Sequence, residues 1–289
     1  MKILLLGPNG QLGTDIQKHF GKDKSIELKS VDRSILDVHQ HSQIIPTLGE
    51  HNFDILINTI AYNRVDDAES RAAEAFSVNA HAVKQLAMVC ELKKAIFIQV
   101  STDYVFNGQG KRPYLEDDIT GPVSVYGASK SMGEQLALLY NIKTYVLRVA
   151  SLFGVAGSSG KGGNFIETMM RFSKENKPIN IVNDITMSPT ATAWVAEAIL
   201  QIIHKNPEYG IYHTVNSGQA SWYDFAYEIF NKTVAGVHAN PVSSDQFPTL
   251  ALRPSFSVLD NSKLKNVIGE IPSWKNALNF YLKEKRYIS

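Results

Sequence analysis

Five short apolar runs, four of them followed by a segment of helical periodicity, constrain the fold of this chain more than any other feature. After the first four runs, apolar residues recur at helical spacing up to Phe20 and over residues 39–49, 70–93 and 124–140. Short apolar strands that alternate with helices indicate βαβ units and a parallel sheet covered on both faces. Such connections are right-handed, which favours a doubly wound α/β sheet. The five runs are KILLLG, IELKSVD, FDILINTIA, AIFIQVS and KTYVLRVA.

Three glycines stand between the first predicted strand and the first predicted helix. Gly7, Gly10 and Gly13 lie in the stretch GPNGQLG. Glycine there permits a tight turn and a close approach of the backbone to a pyrophosphate, and the helix N-terminus supplies amide donors. The spacing is G-x-x-G-x-x-G rather than G-x-G-x-x-G, but its position in a βαβ unit favours a nucleotide site. The sequence therefore predicts a Rossmann-type dinucleotide-binding domain over residues 1–150.

Asp32 and Arg33 end the second predicted strand, where such domains select the ribose. They follow Gly13 by about twenty residues, as in the dinucleotide fingerprint. A carboxylate there accepts hydrogen bonds from ribose hydroxyls, whereas a guanidinium suits a 2′-phosphate. Either residue alone could also be an exposed strand end. The pair leaves both NADH and NADPH open.

The regular alternation ends after Arg148, and a Gly/Ser-rich loop follows at residues 154–163. A smaller α/β C-terminal lobe that binds substrate is predicted over residues 151–289, and some of its segments are expected to return to the first sheet. Its predicted elements are a helix from Asn164 to about Asn176, a helix over 191–204, helices near 221–231, 261–268 and 273–284, and the strands INIVN and IYHTVN.

Tyr126 and Lys130 lie four residues apart in the stretch VSVYGASKSMGEQLA, at the start of the fourth predicted helix. Four residues is about one helical turn, so both side chains project from the same face. A phenol beside an ammonium loses its proton more easily, and it can exchange that proton with a carbonyl oxygen near neutral pH. The pair alone could also be two polar residues on the solvent face of a helix.

Composition and charge narrow the functional classes. The 289 residues carry a formal net charge of +1, with Lys and Arg scattered, so no nucleic-acid partner is expected. No apolar run approaches the roughly eighteen residues of a membrane span, and the apolar start breaks at Gly7-Pro8 before any signal cleavage site. Cys90 is the only cysteine, which fits a reducing cytoplasm. The dispersed His residues predict no metal site.

Several stretches together resemble the extended short-chain dehydrogenase/reductases, namely the glycine turn, ILDV, NTIAY, STDYVF and YGASK. Others resemble more narrowly the dTDP-4-dehydrorhamnose reductase family: GQLG, VDDAE, NAHAVKQLA, STDYVFNGQGKRPYLEDD, GNFIETMM, SPT and RPSFSVLD. The resemblance runs nearly end to end. It implies an NAD(P)H-dependent reductase that converts a nucleotide-linked 4-keto-6-deoxyhexose into its 4-hydroxy sugar, in dTDP-L-rhamnose or related deoxysugar biosynthesis.

Carried onto the matching positions, the resemblance implies Thr102, Tyr126 and Lys130 as the catalytic set. Lys130 is expected to lower the pKa of Tyr126 and to hold the nicotinamide ribose. Tyr126 and Lys130 therefore count as cofactor contacts too. The other expected cofactor contacts are Gly7, Asn9, Gly10, Gln11, Leu12, Gly13, Asp32, Arg33, Asp37, Val38, Ile60, Ala61, Tyr62 and Asn79.

Expected substrate contacts come from strand ends and from loops of the small lobe. Ser101 and Thr102 close the fourth predicted strand, at the carboxyl edge where open α/β sheets bind ligands, and a hydroxyl there can donate to a sugar carbonyl. Arg253 offers a forked guanidinium for a diphosphate, although it could instead pair with a surface carboxylate. The full set is Ser101, Thr102, Asp103, Val105, Ser151, Asn164, Arg253 and Ser257.

Two departures from the family pattern lie where the sugar is expected. Where the family usually has RTSW, this chain reads Arg148-Val149-Ala150-Ser151, without the tryptophan. Where the family has DQxGxPT, residues 184–190 read DITMSPT, without the Gln and the Gly. The sequence therefore leaves the identity of the hexose and the stereochemistry of its product open.

A second hypothesis is a catalytically silent subunit, because the family also resembles the regulatory β subunit of methionine adenosyltransferase. Such a protein would bind a dinucleotide only to maintain its shape and would not use it in a reaction. Intact Thr102, Tyr126 and Lys130 favour the enzyme. The chain is expected to act as a monomer or homodimer on a nucleotide-sugar substrate. The resemblance allows magnesium between subunits but does not require it for the chemistry.

Overall fold

The short apolar runs form the strands of a central sheet, as the sequence predicts. The structure, a computed structural model, describes residues 1–157, 163–175, 178–233 and 237–289. The strands of these residues are β1 (Lys2–Leu6), β2 (Glu27–Val31), β3 (Ile55–Asn58), β4 (Ile96–Thr102), β5 (Thr144–Val149), β6 (Leu152–Phe153), β7 (Ile179–Val182), β8 (Thr186–Met187), β9 (Thr190–Ala191), β10 (Gly210–His213), β11 (Ala220–Ser221) and β12 (Ala239–Val242).

Helices connect these strands and cover both faces of the sheet. Within the described residues, no helix is long and apolar enough to cross a membrane. The α-helices are α1 (Gln11–Phe20), α2 (His41–Gly49), α3 (Val65–Ser70), α4 (Ala72–Phe76), α5 (Ala82–Lys93), α6 (Val125–Tyr140), α7 (Phe165–Phe172), α8 (Thr192–Lys205), α9 (Trp222–Thr233), α10 (Ser262–Ile268) and α11 (Trp274–Glu284). A π-helical turn (Ser77–His81) and two 3₁₀ turns (Asp103–Val105 and Ser244–Gln246) complete the helical segments.

Six strands form one parallel sheet in the order β2-β1-β3-β4-β5-β10. The chain leaves β1 toward β2 and then crosses back over β1 to reach β3. The loops that follow β1 and β3 therefore diverge at the carboxyl edge and open a crevice there, which is where ligands bind in open α/β sheets. The predicted doubly wound, Rossmann-type sheet is confirmed.

Successive side chains of each strand enter cores on opposite faces of the sheet, since strand side chains alternate in direction. Leu5 and Ile57 pack with Ile16 of α1 and Ile199 of α8 on one face. Leu4 and Leu56 belong to the core on the other face, which α2 and α5 cover. Burial on both faces explains why these strands read as continuous apolar runs instead of alternating ones.

A third apolar core lies in the C-terminal part, under helices α7, α9 and α11. It contains Ile166, Met170, Phe225 and Leu278. Short strand pairs link the loops around it: β6 with β9 and β7 with β12 are parallel, and β8 with β11 is antiparallel. Strand β10 from the same part of the chain joins the central sheet beside β5. The division of the chain at residue 150 stays a prediction.

Most predicted elements of the C-terminal part appear within one or two residues of their predicted ends, but the long helix predicted over residues 70–93 is interrupted. Arg71 leaves helical geometry, with φ −122° and ψ 43°, and separates α3 from α4. A π-helical turn follows before α5. In that turn the Asn79 carboxamide accepts from the Tyr62 N–H and donates to the Tyr62 carbonyl, which fixes the loop after β3. The helix predicted from Asn164 to about Asn176 is shorter than predicted, since α7 ends at Phe172 and residues 173–175 are not helical. Residues 158–162 of the predicted loop and residue 176 lie outside the described residues.

Arg148 of β5 and Glu134 of α6 form a buried ion pair between the sheet and the helix. Their side chains are 2% and 4% exposed, and the Arg148 Nε and Nη2 donate to the Glu134 carboxylate at 2.9 and 2.8 Å. Removing one partner of such a pair is strongly destabilising, because the other charge is left buried and unpaired. The pair therefore fixes α6 against the sheet, and with it Tyr126 and Lys130 of the same helix.

Candidate active site

Three adjoining cavities form one groove along the carboxyl edge of the sheet. The first, here the β2-side cavity, has a volume of about 360 Å³. The middle cavity, of about 150 Å³, shares Gly10 and Ala61 with it. The lobe-side cavity, of about 310 Å³, shares Ser101 and Tyr126 with the middle cavity. Asn63 lines all three, so the groove is continuous.

The glycine turn between β1 and α1 forms the floor of the groove. Gly7 has φ +79°, a conformation that side chains rarely adopt, and a Cβ there would lie 2.6 Å from the Thr59 Oγ1. A Cβ on Gly13 would collide with the Gly7 carbonyl, so this position requires close helix–strand packing. Gly10 differs, because a Cβ there would meet only the Gly7 carbonyl, at 3.5 Å. It lines both the β2-side and the middle cavities at the N-cap of α1, and it leaves room for a ligand.

Asp32, Arg33 and Asp37 lie at the far end of the β2-side cavity. The Asp32 carboxylate accepts from the Ser34 hydroxyl and N–H at 2.6 and 2.9 Å, and these bonds lower its pKa. The Arg33 side chain is 79% exposed and pairs with Asp37 at 3.2 Å. The Asp32 carboxylate is therefore already hydrogen-bonded to Ser34, whereas the Arg33 guanidinium can rotate toward an anion in the cavity.

Lys130 and Tyr126 both line the middle cavity, as their spacing predicts. The Lys130 Nζ donates to the Val100 carbonyl at 2.7 Å, and burial lowers its pKa to about 8. Burial raises the pKa of Tyr126 to about 12, and a hydrogen bond with Thr102 opposes this rise only in part. The prediction that Lys130 brings the pKa of Tyr126 below its usual value is therefore wrong, because desolvation of the phenolate is the largest effect.

Thr102 and Asp103 form a buried pair beside Tyr126. The Thr102 Oγ1 donates to the Asp103 Oδ1 at 3.0 Å and accepts from the Tyr104 N–H at 3.2 Å. Asp103 is 2% exposed, and its Oδ2 has no hydrogen-bond partner among the described residues. Burial raises the pKa of Asp103 to about 6. The Ser101 hydroxyl, which lines both neighbouring cavities, also lacks a partner among the residues described.

Aromatic side chains form the opposite wall of the lobe-side cavity. Phe165 of α7 and Trp222 of α9 pack with ring centroids 4.7 Å apart, and Phe165 stacks on Phe225 at 5.6 Å. All three line the cavity, and Trp222 and Phe165 are only partly buried. Ser151, which stands where the family pattern has a tryptophan, lines the same cavity with φ +42°. The aromatic surface of this cavity thus comes from the small lobe.

Most residues expected at the site lie along this groove, although their contacts with ligands stay predictions. The predicted residues that line it are Gly7, Asn9, Gly10, Gln11, Leu12, Gly13, Asp32, Arg33, Asp37, Val38, Ile60, Ala61, Tyr62, Ser101, Thr102, Asp103, Tyr126, Lys130, Ser151 and Asn164. Asn164 also caps α7, since its Oδ1 accepts from the Glu167 N–H at 3.1 Å.

Three predicted residues lie behind the groove wall instead of on it. Asn79 is 1% exposed, and its carboxamide is taken up by Tyr62 and by the Ser129 hydroxyl. Val105 is fully buried in a separate apolar cluster. Ser257 is 2% exposed, and its hydroxyl lies close enough to Asp103 to lower the pKa of that carboxyl. Each of these side chains is used in holding neighbouring residues, and contact of these three residues with a ligand stays a prediction.

Arg253 is also absent from the described lining of the groove. Its Nη2 donates to the Asp66 Oδ2 at 2.7 Å, and its guanidinium bonds with the Tyr104 phenol. Tyr104 in turn packs edge-on against Tyr126, with ring centroids 5.8 Å apart. The structure has the pair with a carboxylate that the sequence left as the alternative, and contact of Arg253 with a substrate diphosphate stays a prediction.

Several residues of the groove were not among those predicted, and Asn63, Trp222 and Phe165 are three of them. Asn63 directly follows NTIAY at the carboxyl edge of β3, so the rule that selected Ser101 at the end of β4 could have found it. Trp222 and Phe165 begin helices after loops of the small lobe, and only their aromatic type at a loop-to-helix junction pointed to a binding role. Within the described residues, no group of three or more His, Cys, Asp or Glu side chains could hold a metal ion.

The chain matches known proteins over nearly its whole length. A family described as the RmlD substrate binding domain matches residues 1–287. The dTDP-4-dehydrorhamnose reductase of Aggregatibacter actinomycetemcomitans is 35% identical, and the match covers 96% of this chain and 97% of that protein. The spore coat polysaccharide biosynthesis protein SpsK of Bacillus subtilis is 31% identical, with 98% of each chain covered.

Solved structures agree with this match. A dTDP-4-dehydrorhamnose reductase from Clostridium acetobutylicum has a TM-score of 0.93 at 36% identity, covering 99% of this chain and 100% of that one. A dTDP-4-dehydrorhamnose reductase from Bacillus anthracis, in complex with NADP, has a TM-score of 0.91 at 33% identity, covering 98% and 99%. The resemblance carried by the sequence motifs is confirmed. The chain belongs to the dTDP-4-dehydrorhamnose reductase family of the extended short-chain dehydrogenase/reductases.

Proposed function

We propose that this chain is an oxidoreductase that reduces the C4 ketone of a dTDP-linked 4-keto-6-deoxyhexose, dTDP-4-dehydrorhamnose first, with NADPH or NADH. Tyr126 supports this proposal most directly, because its side chain lines both the middle and the lobe-side cavities. A proton donor at this junction reaches both a cofactor in one cavity and a sugar in the other. The named reductases that match this chain end to end support the same reaction.

The β2-side and middle cavities fit a nicotinamide dinucleotide. Gly10 leaves open space in front of the first helix, where backbone N–H groups favour a pyrophosphate. The Gln11 Oε1 and Tyr62 Oη are buried without a partner among the described residues, so a ligand can satisfy them. The exposed Arg33 suits a 2′-phosphate, and the engagement of Asp32 by Ser34 weakens selection for NADH. Both features favour NADPH over NADH.

The catalytic side chains supply the proton and hold the sugar ketone. The middle cavity, lined by Gly10, Tyr126 and Lys130, would hold the nicotinamide, whose chemistry would be hydride transfer to C4 of the sugar. Tyr126 donates its proton to the ketone oxygen, and Thr102, which is bonded to Tyr126, adds a second donor at that oxygen. One Lys130 proton is used by the Val100 carbonyl, and the ammonium group, which lines the middle cavity with Tyr126, would stabilise the phenolate that forms.

The lobe-side cavity holds the nucleotide sugar between the catalytic residues and the aromatic wall. Trp222 and Phe165 give a flat apolar surface against which a base or the apolar face of a sugar can pack. This chain therefore obtains an aromatic platform from the small lobe, where Ser151 replaces the usual tryptophan. No Lys or Arg lines this cavity within the described residues, so backbone and amide groups would hold the diphosphate.

Several expectations stay predictions within this proposal. They are the cytoplasmic location, the monomeric or homodimeric state, the absence of a nucleic-acid partner and the dispensability of magnesium. The silent regulatory subunit stays the alternative function. It needs no proton donor, whereas the half-buried Tyr126 lies beside the buried Thr102 at the lobe-side cavity.

Tyr126→Phe is expected to lower kcat by a factor of about 10²–10⁴, because only the positioned proton donor is lost. Absorbance of the reduced nicotinamide measures turnover, and cofactor fluorescence measures binding, which should not change. Tyr227→Phe serves as the matched control, since Tyr227 is 57% exposed on α9. Near-normal turnover of the Tyr126 variant would contradict the assignment.

Gly10→Val is expected to abolish dinucleotide binding in a folded protein. The branched side chain has room beside its protein neighbours but fills the space at the N-terminus of α1. Cofactor titration by fluorescence measures the loss, and circular dichroism checks the fold. Gly49→Val, at an exposed glycine whose Cβ would meet nothing within 4 Å, is the control. Unchanged titration in the Gly10 variant would place the cofactor elsewhere.

Trp222→Ala is expected to raise the KM for the nucleotide sugar by about 5- to 150-fold, the range that corresponds to a stacking contribution of about 1–3 kcal/mol. The KM for the cofactor should stay the same. Binding of the nucleotide sugar should also quench tryptophan fluorescence in the wild type but not in Trp222→Phe. Trp274→Phe is the control, because Trp274 is 5% exposed in the third core. A KM unaffected by Trp222→Ala would remove the aromatic wall from substrate binding.

A further inference from the structure

Thr102 has a single proton to donate, and the structure shows where it goes. The Thr102 Oγ1 donates to the Asp103 Oδ1 at 3.0 Å. The same oxygen accepts from the Tyr104 N–H at 3.2 Å and bonds with the Tyr126 phenol. In this arrangement Asp103 acts as an acceptor, as an ionised carboxylate does. Thr102 therefore has no proton left for a substrate ketone.

The Tyr126 phenol keeps its own proton near neutral pH, because burial raises its pKa to about 12. With Asp103 ionised, the Thr102 proton is taken up by the Asp103 carboxylate, and Tyr126 alone is left to donate to the ketone oxygen.

We propose that Asp103 must be protonated for full turnover, and that it acts as a positioning residue for the Thr102 hydroxyl. As a neutral acid it donates to the Thr102 Oγ1. This frees the Thr102 hydroxyl proton to point at the ketone oxygen of the sugar, beside the proton of Tyr126. No bond to Asp103 forms or breaks in the reduction itself. The inference rests on the proposed reductase function and adds a residue that acts through Thr102.

The surroundings of Asp103 favour the neutral acid. The residue is 2% exposed, and its Oδ2 has no partner among the described residues. An unpaired buried carboxylate oxygen is costly, and burial raises the pKa of Asp103 to about 6. Hydrogen bonds from Thr102 and Ser257 oppose this rise only in part. Asp103 also lines the lobe-side cavity, so a bound sugar removes water from it and favours the acid further.

Among the described residues, the charged and titratable groups around Asp103 include no cation that pairs with its carboxyl. Tyr104 follows it in the chain, and Tyr126 faces it from α6. Arg253 and Asp66 lie next to Tyr104 and pair with each other at 2.7 Å. Lys130 lies next to Tyr126 in the middle cavity and donates to the Val100 carbonyl. Neither cation is thus engaged with the Asp103 carboxyl.

The pH dependence of kcat tests this inference through Asp103→Asn. The amide cannot ionise, and its N–H₂ group donates to Thr102 as the neutral acid does. In the wild type, kcat is expected to fall about tenfold for each pH unit above the pKa of Asp103 in the complex. In Asp103→Asn this fall should be absent. Any change of kcat with pH near the Lys130 pKa of about 8 should remain in this variant.

Asp66→Asn is the matched control, because Asp66 is the other carboxylate that acts on Tyr104. It should keep the wild-type fall in kcat. A fall that persists in Asp103→Asn, or that disappears in Asp66→Asn, overturns the inference. Wild-type protein without turnover on any dTDP-linked 4-keto sugar would instead overturn the proposed function.

Proton uptake on binding provides a readout that needs neither turnover nor a folded variant. Calorimetric titration of wild-type protein with dTDP-glucose, in two buffers of different ionisation enthalpy at about pH 7, measures the protons taken up. The inference predicts uptake approaching one proton, since the bound sugar raises the pKa of Asp103. Asp103→Asn should take up none. Binding to the wild type without proton uptake overturns the inference.

Discussion

The reversal of strand order between β1 and β3 is the constraint on which the rest of the structure depends. Because all six strands run parallel, their carboxyl ends meet at one edge of the sheet. The loops that diverge there open the groove, and each neighbouring strand end adds one functional element to it. The turn after β1 brings Gly10, the loop after β3 brings Asn63, and the end of β4 brings Thr102. The buried Arg148–Glu134 pair then fixes the helix that carries Tyr126 and Lys130.

Exclusion of water sets the protonation states in the groove. Burial raises the pKa of Tyr126 to about 12 and of Asp103 to about 6, and it lowers that of Lys130 to about 8. All three shifts favour the neutral form, as expected where charge is poorly solvated. A neutral phenol suits a group that must donate a proton. The phenolate formed in the reaction then needs a cation nearby. Lys130 is therefore better explained as a group that stabilises this phenolate than as one that keeps the pKa of the phenol low before the reaction.

The sequence predicted the sheet and most of the groove because both follow from local patterns. Continuous apolar runs mark strands buried on two faces, and ligands collect at their carboxyl ends. The spacing of Tyr126 and Lys130 alone puts both side chains in one cavity. Strand pairs of two residues, such as β8 with β11, leave no periodic signal and were missed. The burial of Val105 and Ser257 and the pairing of Arg253 with Asp66 could not be predicted, because the residues they contact are distant in sequence. Which way a side chain faces at such positions depends on tertiary packing.

The central claim is that the groove carries hydride from a nicotinamide in its middle cavity to a sugar in its lobe-side cavity. Reduced NADP deuterated at C4 of the nicotinamide tests this most directly, with dTDP-4-dehydrorhamnose as the acceptor. Mass spectrometry and proton NMR of the product locate the label. The account predicts one deuterium at C4 of the sugar for each cofactor oxidised. Tight binding of both ligands without transfer of deuterium would contradict it and would indicate the silent regulatory subunit.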